Sequence, residues 1–162
     1  MSRAACSGSV VSVNTSEATG VRKRPQPAVE LEVERGVVGD AHAGPWHRQV
    51  SLLAVESVEK MRTMGADVGP GDFGENVTTE GIDVARLPVG TRVRVGACLL
   101  EITQIGKECH DRCAIYRQVG DCVMPREGVF GRVLEGGVVR PGDALRCEDQ
   151  DGSPSEGTTG GS

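Results

Sequence analysis

A mostly β chain (α+β), closed or rolled into a barrel and carrying one substantial helix, is what this 162-residue sequence predicts, and three observations predict it. Short runs alternate apolar and polar side chains with the period of two that turns one face of a strand inward. The chain holds 23 glycines and 8 prolines but only four aromatic residues, Trp46, Phe73, Tyr116 and Phe130, so turns are frequent and the core is aliphatic. A single stretch spaces its apolar residues as a helix does. Many short strands joined by glycine-rich turns remove their exposed edges by closing on themselves, hence the barrel.

The first strands are short. Ser9–Val13 is β-branched, and Ala28–Val33 alternates apolar with acidic residues, as a half-exposed strand does. Between them Ala18–Pro27 is basic and turn-rich, and reads as a solvated connection. Val50–Ala54 starts another strand and runs into Val55–Met64, where Val55, Val58 and Met61 recur at helical spacing and Gly65 stops the helix. Glu75–Thr79 reads as strand. Thr91–Gly96 and Ala97–Ile105 pair as a hairpin. Gly128–Leu134 is a strand, Gly136-Gly137 turns the chain into Val138–Arg140, and Pro141-Gly142-Asp143 leads into a last strand, Ala144–Cys147. From Glu148 onward the composition falls to Asp, Gly, Ser, Thr and Pro, too polar to offset the entropy of ordering. The sequence therefore predicts one domain over residues 1–147 and a disordered tail over 148–162.

Charge and cysteine usage narrow the function. The net charge of −5 gives no whole-molecule field that draws the chain to nucleic acid or to anionic lipid. No apolar run approaches the roughly 20 residues that span a bilayer, and the first residues lack a signal-peptide core, so no membrane partner and a cytoplasmic location are expected. In that compartment the six cysteines are expected to be mostly reduced. Cys98 and Cys147 fall in apolar strand-like runs and read as core residues.

The segment Gly106-Lys107-Glu108-Cys109-His110-Asp111-Arg112-Cys113-Ala114-Ile115-Tyr116 packs two thiols, an imidazole and four charged side chains behind a strand. Lys107, Arg112 or protonated His110 would favour the thiolate of a neighbouring cysteine, the form that attacks electrophiles and ligates metals. Zinc modules repeat a short-spaced cysteine pair, which Cys109, Cys113 and the distant Cys122 do not. The three-residue gap also departs from the thioredoxin dithiol. A zinc-sensing or thiol-redox role thus remains an alternative of lower weight. Two loops stand out beside it. Gly36–Arg48 gathers Asp40, His42, Trp46, His47 and Arg48, and fits a binding loop and a hydrogen-bonded surface loop equally. Gly69–Gly74 matches the dinucleotide-binding glycine pattern, but it precedes a strand rather than a helix, so it fails that motif's context.

Taken together, Gly39-Asp40-Ala41-His42, Gly71-Asp72-Phe73-Gly74-Glu75-Asn76, Pro88-Val89-Gly90, Lys107-Glu108-Cys109-His110, Gly128-Val129-Phe130 and Pro141-Gly142-Asp143 resemble the MOSC domain, named for the C-terminal domain of molybdenum cofactor sulfurase. The resemblance spans about residues 8 to 147 and is nearest to small bacterial stand-alone members. It implies a mostly β barrel with a functional cysteine that carries sulfur as a persulfide or ligates molybdenum in a bound molybdopterin. Cys109 matches that cysteine, with Cys113 as second candidate and His110 beside it in the catalytic group. The resemblance further implies Asp40, His42, His47, Arg48, Glu75, Asn76, Lys107, Arg112 and Arg126 as cofactor-binding residues, the cations facing the phosphate. Expected partners are molybdopterin or a precursor and a protein that donates electrons or sulfur, or a receiving molybdoenzyme. A homodimer is compatible with the sequence. No pyridoxal phosphate is expected, because the chain lacks room for a desulfurase domain. The implied roles are sulfur transfer or delivery, a molybdenum-dependent reductase reaction, or a carrier without turnover.

Overall fold

Alternation becomes a barrel through inward-facing Val, Leu and Ile on successive strands. The computed structural model describes residues 7–16, 23–40, 43–46, 49–106 and 127–148. Its strands are β1 (Ser7–Thr15), β2 (Arg24–Gln26), β3 (Val29–Glu32), β4 (Gly36–Val37), β5 (Val50–Ala54), β6 (Val77–Glu80), β7 (Arg92–Val95), β8 (Cys98–Ile105), β9 (Val129–Glu135), β10 (Gly137–Val139) and β11 (Ala144–Glu148), with helix α1 over Val55–Thr63. Strands run in the order β11-β7-β8-β9-β5-β6-β1, and β11 pairs back onto β1, so seven strands close on themselves. The mostly β barrel expected from the sequence is thus the fold.

Closure is antiparallel, Ser7 opposite Arg146 and Ser9 opposite Ala144. Most other pairings are antiparallel too. The exception is β5 with β6, parallel with Leu52 opposite Val77, which α1 makes possible as the crossover between them. A second sheet, β10-β3-β4, stands beside the barrel.

Inside, Val13, Leu52, Val77, Val93, Leu100, Ile102, Val129 and Leu145 are fully shielded and form one aliphatic core with the second sheet's Leu31 and Val37. A smaller cluster lies outside the barrel, where α1 presents Val58 and Met61 to Leu53, Phe73 and Phe130. Glu56 in the first turn and Lys60 and Arg62 in the last suit the helix dipole, and Gly65 at φ +103° ends the helix in a conformation that favours glycine.

The structure departs from the sequence reading in three places. The connection read as solvated contains β2, paired with β1 and bearing Pro25 opposite Asn14; an outer strand tolerates proline because its free side needs no donor. The last strand runs through Glu148, paired with Arg92, because Arg94 binds the Glu148 carboxylate at 3.0 Å. The remainder of the predicted tail lies outside the described residues. Cys147 packs against the barrel core as expected and is in addition disulfide-bonded, a pairing that nothing in the local sequence signals. Cys98 is a free, buried core thiol, its pKa pushed up to about 11 by desolvation, with Asp143 adding to the rise and Arg94 opposing it. No helix of the described residues is long and apolar enough to cross a membrane.

Candidate functional site

β8 and β9 form the neck of the cysteine segment. Ile105 lies opposite Val129, and one pair beyond, the Gly106 N–H donates to the Gly128 carbonyl at 2.6 Å. Residues 107–126, which include Lys107, Cys109, His110, Arg112, Cys113 and Arg126, lie outside the described residues, as do His42, His47 and Arg48. The return end of the segment is tied to α1: the Glu127 carboxylate accepts from Ser57 Oγ and from Lys60 Nζ. These groups border a cavity of about 360 Å³ with Glu56, Gly81 and Asp83 on its other walls.

Beside the neck runs a belt of buried polar groups. Ser51 is the cross-strand partner of Phe130, two residues from Gly128. Its backbone N–H donates to Asn76 Oδ1 at 3.0 Å, its hydroxyl accepts from the Asn76 N–H at 3.0 Å, and Asn76 Nδ2 reaches the Asn14 carbonyl at 3.2 Å. Asn14 in turn donates to the Glu75 carbonyl and to Thr78 Oγ1, both at 3.1 Å. Glu75 Oε2 accepts from the Gly71 N–H at 2.8 Å and from Thr78 Oγ1 at 2.7 Å, while its Oε1 is buried with no hydrogen-bond partner among the described residues. Burial pushes the Glu75 carboxyl above the usual carboxylate range, and the bonds from Gly71 and Thr78 only partly oppose it.

The belt continues to Asp40. Lys23 donates a backbone hydrogen bond to the Gly71 carbonyl at 2.9 Å, and its ammonium lies 2.9 Å and 3.1 Å from the two Asp40 oxygens and 3.1 Å from Ser16 Oγ. The Ser16 N–H donates to Asp40 Oδ1 at 2.9 Å. Both side chains of the ion pair are 0% exposed. Gly71 cannot be replaced without moving this chain of contacts, because it sits at φ +90° and a Cβ there would lie 2.4 Å from the Lys23 carbonyl oxygen.

Of the sequence-predicted site residues, Asp40, Glu75 and Asn76 therefore meet in one network, and they meet as buried groups bonded to protein. Sequence reading missed Lys23, Asn14 and Ser51. Lys23 stood in a basic run with the pattern of a solvated loop, and no local signal separates it from Arg22 and Arg24. Two of the other blocks build turns: the Gly90 N–H donates to the Ile102 carbonyl at 2.7 Å, and Gly142 and Asp143 bond the backbone of Val10 at 2.7 Å and 2.8 Å.

A second cavity, of about 460 Å³, opens beside the predicted binding loop. Trp46 and Pro45 form one wall, Val89, Ile102 and Thr103 another, and Glu34, Glu101, Arg132 and Gln49 complete it. Arg132 binds the Glu101 carboxylate at 2.8 Å. Gln49 is fixed by accepting the Val133 N–H at 3.0 Å, which anchors the loop directly after Arg48. Among the described residues no three His, Cys, Asp or Glu side chains are grouped to hold a metal ion.

A closed seven-stranded β barrel, in which the chain leaves the sheet after β8 and rejoins it at β9, defines the class. The MOSC domain family matches residues 39–146, two thirds of the chain, and the chain belongs to that family. Its fold is similar to the YuaD protein from Bacillus subtilis, with a TM-score of 0.72 and 17% identity over 87% of this chain and 95% of that one. It is also similar to YiiM from Geobacillus stearothermophilus, with a TM-score of 0.64 and 19% identity over 88% of this chain and 75% of the other. YiiM from Escherichia coli gives 0.63 and 20% over 89% and 70%. No curated protein matches the chain.

Proposed function

We propose that this protein binds molybdenum cofactor, or a precursor of it, through Cys109, and acts in transfer or delivery of cofactor sulfur or in a reductase reaction that takes electrons from a partner protein. One observation supports this reading above the others: blocks far apart in sequence, Asp40, Gly71–Asn76 and Ser51 with its strand partner Phe130, are joined in one buried hydrogen-bonded belt, whose Phe130 end lies two residues from Gly128, where the Cys109 segment rejoins the sheet. Such convergence is what a site assembled from several loops on a rigid barrel requires.

The described residues can be tested against the cofactor. A cavity of about 460 Å³ lies within the ~300–1,000 Å³ of small-molecule sites, and Trp46, an aromatic residue of the kind that packs against planar rings, lines it. Among the described residues its walls carry Glu34 and Glu101 with the cation Arg132, a lining that suits the ring better than the phosphate. The phosphate would fall to Arg48, Lys107, Arg112 and Arg126, with His42 and His47 as further donors. A soft thiolate from Cys109 suits molybdenum, which supplies the redox chemistry when bound. Cys113 and His110 would tune that thiolate. Asp40, Glu75 and Asn76 serve by fixing the loops rather than by touching the cofactor.

The experiment is expression in a host that makes molybdopterin. Wild type should retain molybdenum and a fluorescent oxidised pterin, and Cys109→Ala should lose both; equal content in the two proteins overturns the proposal. Peptide mass spectrometry then separates the activities, since persulfide on Cys109 marks sulfur transfer.

A further inference from the structure

Lys23 is a lysine whose side chain is wholly removed from solvent, and it ends the first of two loops whose roots it joins. Its ammonium meets Asp40, at the root of the Gly36–Arg48 loop, and Ser16, where β1 gives way to the connection; its own backbone N–H meets Gly71. Replacing a buried ion pair by apolar residues of similar volume is often neutral or stabilising, so net stability does not account for the pair. What it does provide is direction. A charge pair with three charge-assisted bonds has one geometry, whereas two apolar side chains in the same space have several.

We propose that Lys23 is a positioning residue, whose ion pair with Asp40 fixes the conformation of the described turn that follows it, Ala43–Trp46, and thereby the placement of the Trp46 side chain. Past Asp40, the described backbone bonds of the loop run from the Ala43 N–H to the Asp40 carbonyl at 3.1 Å, from the Gly44 N–H to Arg35 at 2.6 Å and from the Trp46 N–H to Gly44 at 2.9 Å. The first of these ends on the Asp40 carbonyl, whose own N–H is held by the Val37 carbonyl at 3.1 Å, so the ion pair adds a side-chain anchor at the point from which the turn departs. The consequence for cofactor retention rests on the proposed function; the clamp on the loop does not.

Trp46 is the sole tryptophan of the chain and lies in this loop at 37% exposure, so its fluorescence reports the loop directly. The test compares wild type, Lys23→Met/Asp40→Leu, Asp40→Asn, Lys23→Arg and Ser16→Ala. In the double variant, with an unfolding midpoint close to wild type, Trp46 emission should shift to the red and amide exchange at Ala43, Gly44 and Trp46 should rise at least tenfold, while exchange at Val13 and Leu100 stays unchanged. Lys23→Arg keeps the charge and should restore most of the wild-type emission. Ser16→Ala removes one acceptor and leaves the pair, and should move emission and loop exchange less than the double variant does.

Unchanged emission and exchange in a folded double variant overturns the clamp; where the double variant does not fold, the same result in a folded Asp40→Asn, which removes the charge of the pair and keeps its shape, overturns it instead. Pterin retention measured on the same proteins separates the two claims. A shifted loop with wild-type retention overturns the link from loop to site. A wild type that retains no pterin removes the proposed function and leaves the clamp standing on the emission and exchange data.

Discussion

The barrel interior and the polar belt beside it are both sealed from water, yet they are built on opposite rules. Inside the barrel, Leu52, Leu100, Ile102 and Leu145 fill space with aliphatic groups that have no directional needs. In the belt, Ser51, Asn14, Asn76, Glu75, Lys23 and Asp40 are buried too, and each is placed by particular donors and acceptors. An aliphatic core accepts many sequences of similar volume, whereas a polar network fails when one partner is lost. The barrel supplies stability and the belt supplies placement.

This contrast can be broken in a graded way. The largest effect is expected for Lys23→Met alone, which removes the ammonium from the buried Asp40 carboxylate and should cost about 3–5 kcal/mol in urea unfolding. Adding Asp40→Leu should recover most of that loss. Leu100→Ala, a cavity in the barrel, should cost about 2–5 kcal/mol, and no second mutation in the belt should recover it. Ser51→Ala removes a hydroxyl that accepts from the Asn76 N–H and should cost about 1–3 kcal/mol by the same measurement. If Ser51→Ala is neutral, the belt is less sharply specified than its distances imply.

Glu75→Gln gives the smallest effect and the most specific pH signature. The folded-state carboxyl is raised above its ordinary value of 4.5, so the contribution of Glu75 to stability is fully present below about that pH and is lost as pH rises through the folded value. Wild type should therefore lose stability relative to Glu75→Gln as pH increases from that point, and the glutamine protein should be at least as stable at about pH 7. Denaturant midpoints of both proteins across that range check the sign. A wild type that instead gains on the glutamine protein with rising pH would contradict the buried, desolvated environment of this carboxyl.

Much of the barrel was legible because period-two alternation is a local property. β7 and β8 show it in Arg92–Val95 and Cys98–Ile105, and their pairing follows from the short turn between them. The parallel β5–β6 pair was legible only as two strands with a helix between, since pairing across a crossover leaves no mark on either strand. Glu75, Asn76 and Asp40 were reached through a resemblance carried by several blocks at once. Their partners were not. Lys23 reads as a solvated cation until the fold removes it from water, and Asn14 and Ser51 are ordinary strand residues until Asn76 comes within reach. Burial of charge is decided by tertiary contacts, which no window of sequence contains.

The hydrogen bond between Gly106 and Gly128 has a consequence for how this fold varies. The ends of the cysteine segment are held together by the hairpin itself, so the barrel's pairing, Ile105 opposite Val129, does not depend on what lies between. Closing a flexible loop costs only about 0.6 kcal/mol more for each doubling of its length. The bonds that set the register here, Gly106 to Gly128 and Ile105 opposite Val129, lie wholly outside the segment, so a change of its length or chemistry removes none of them.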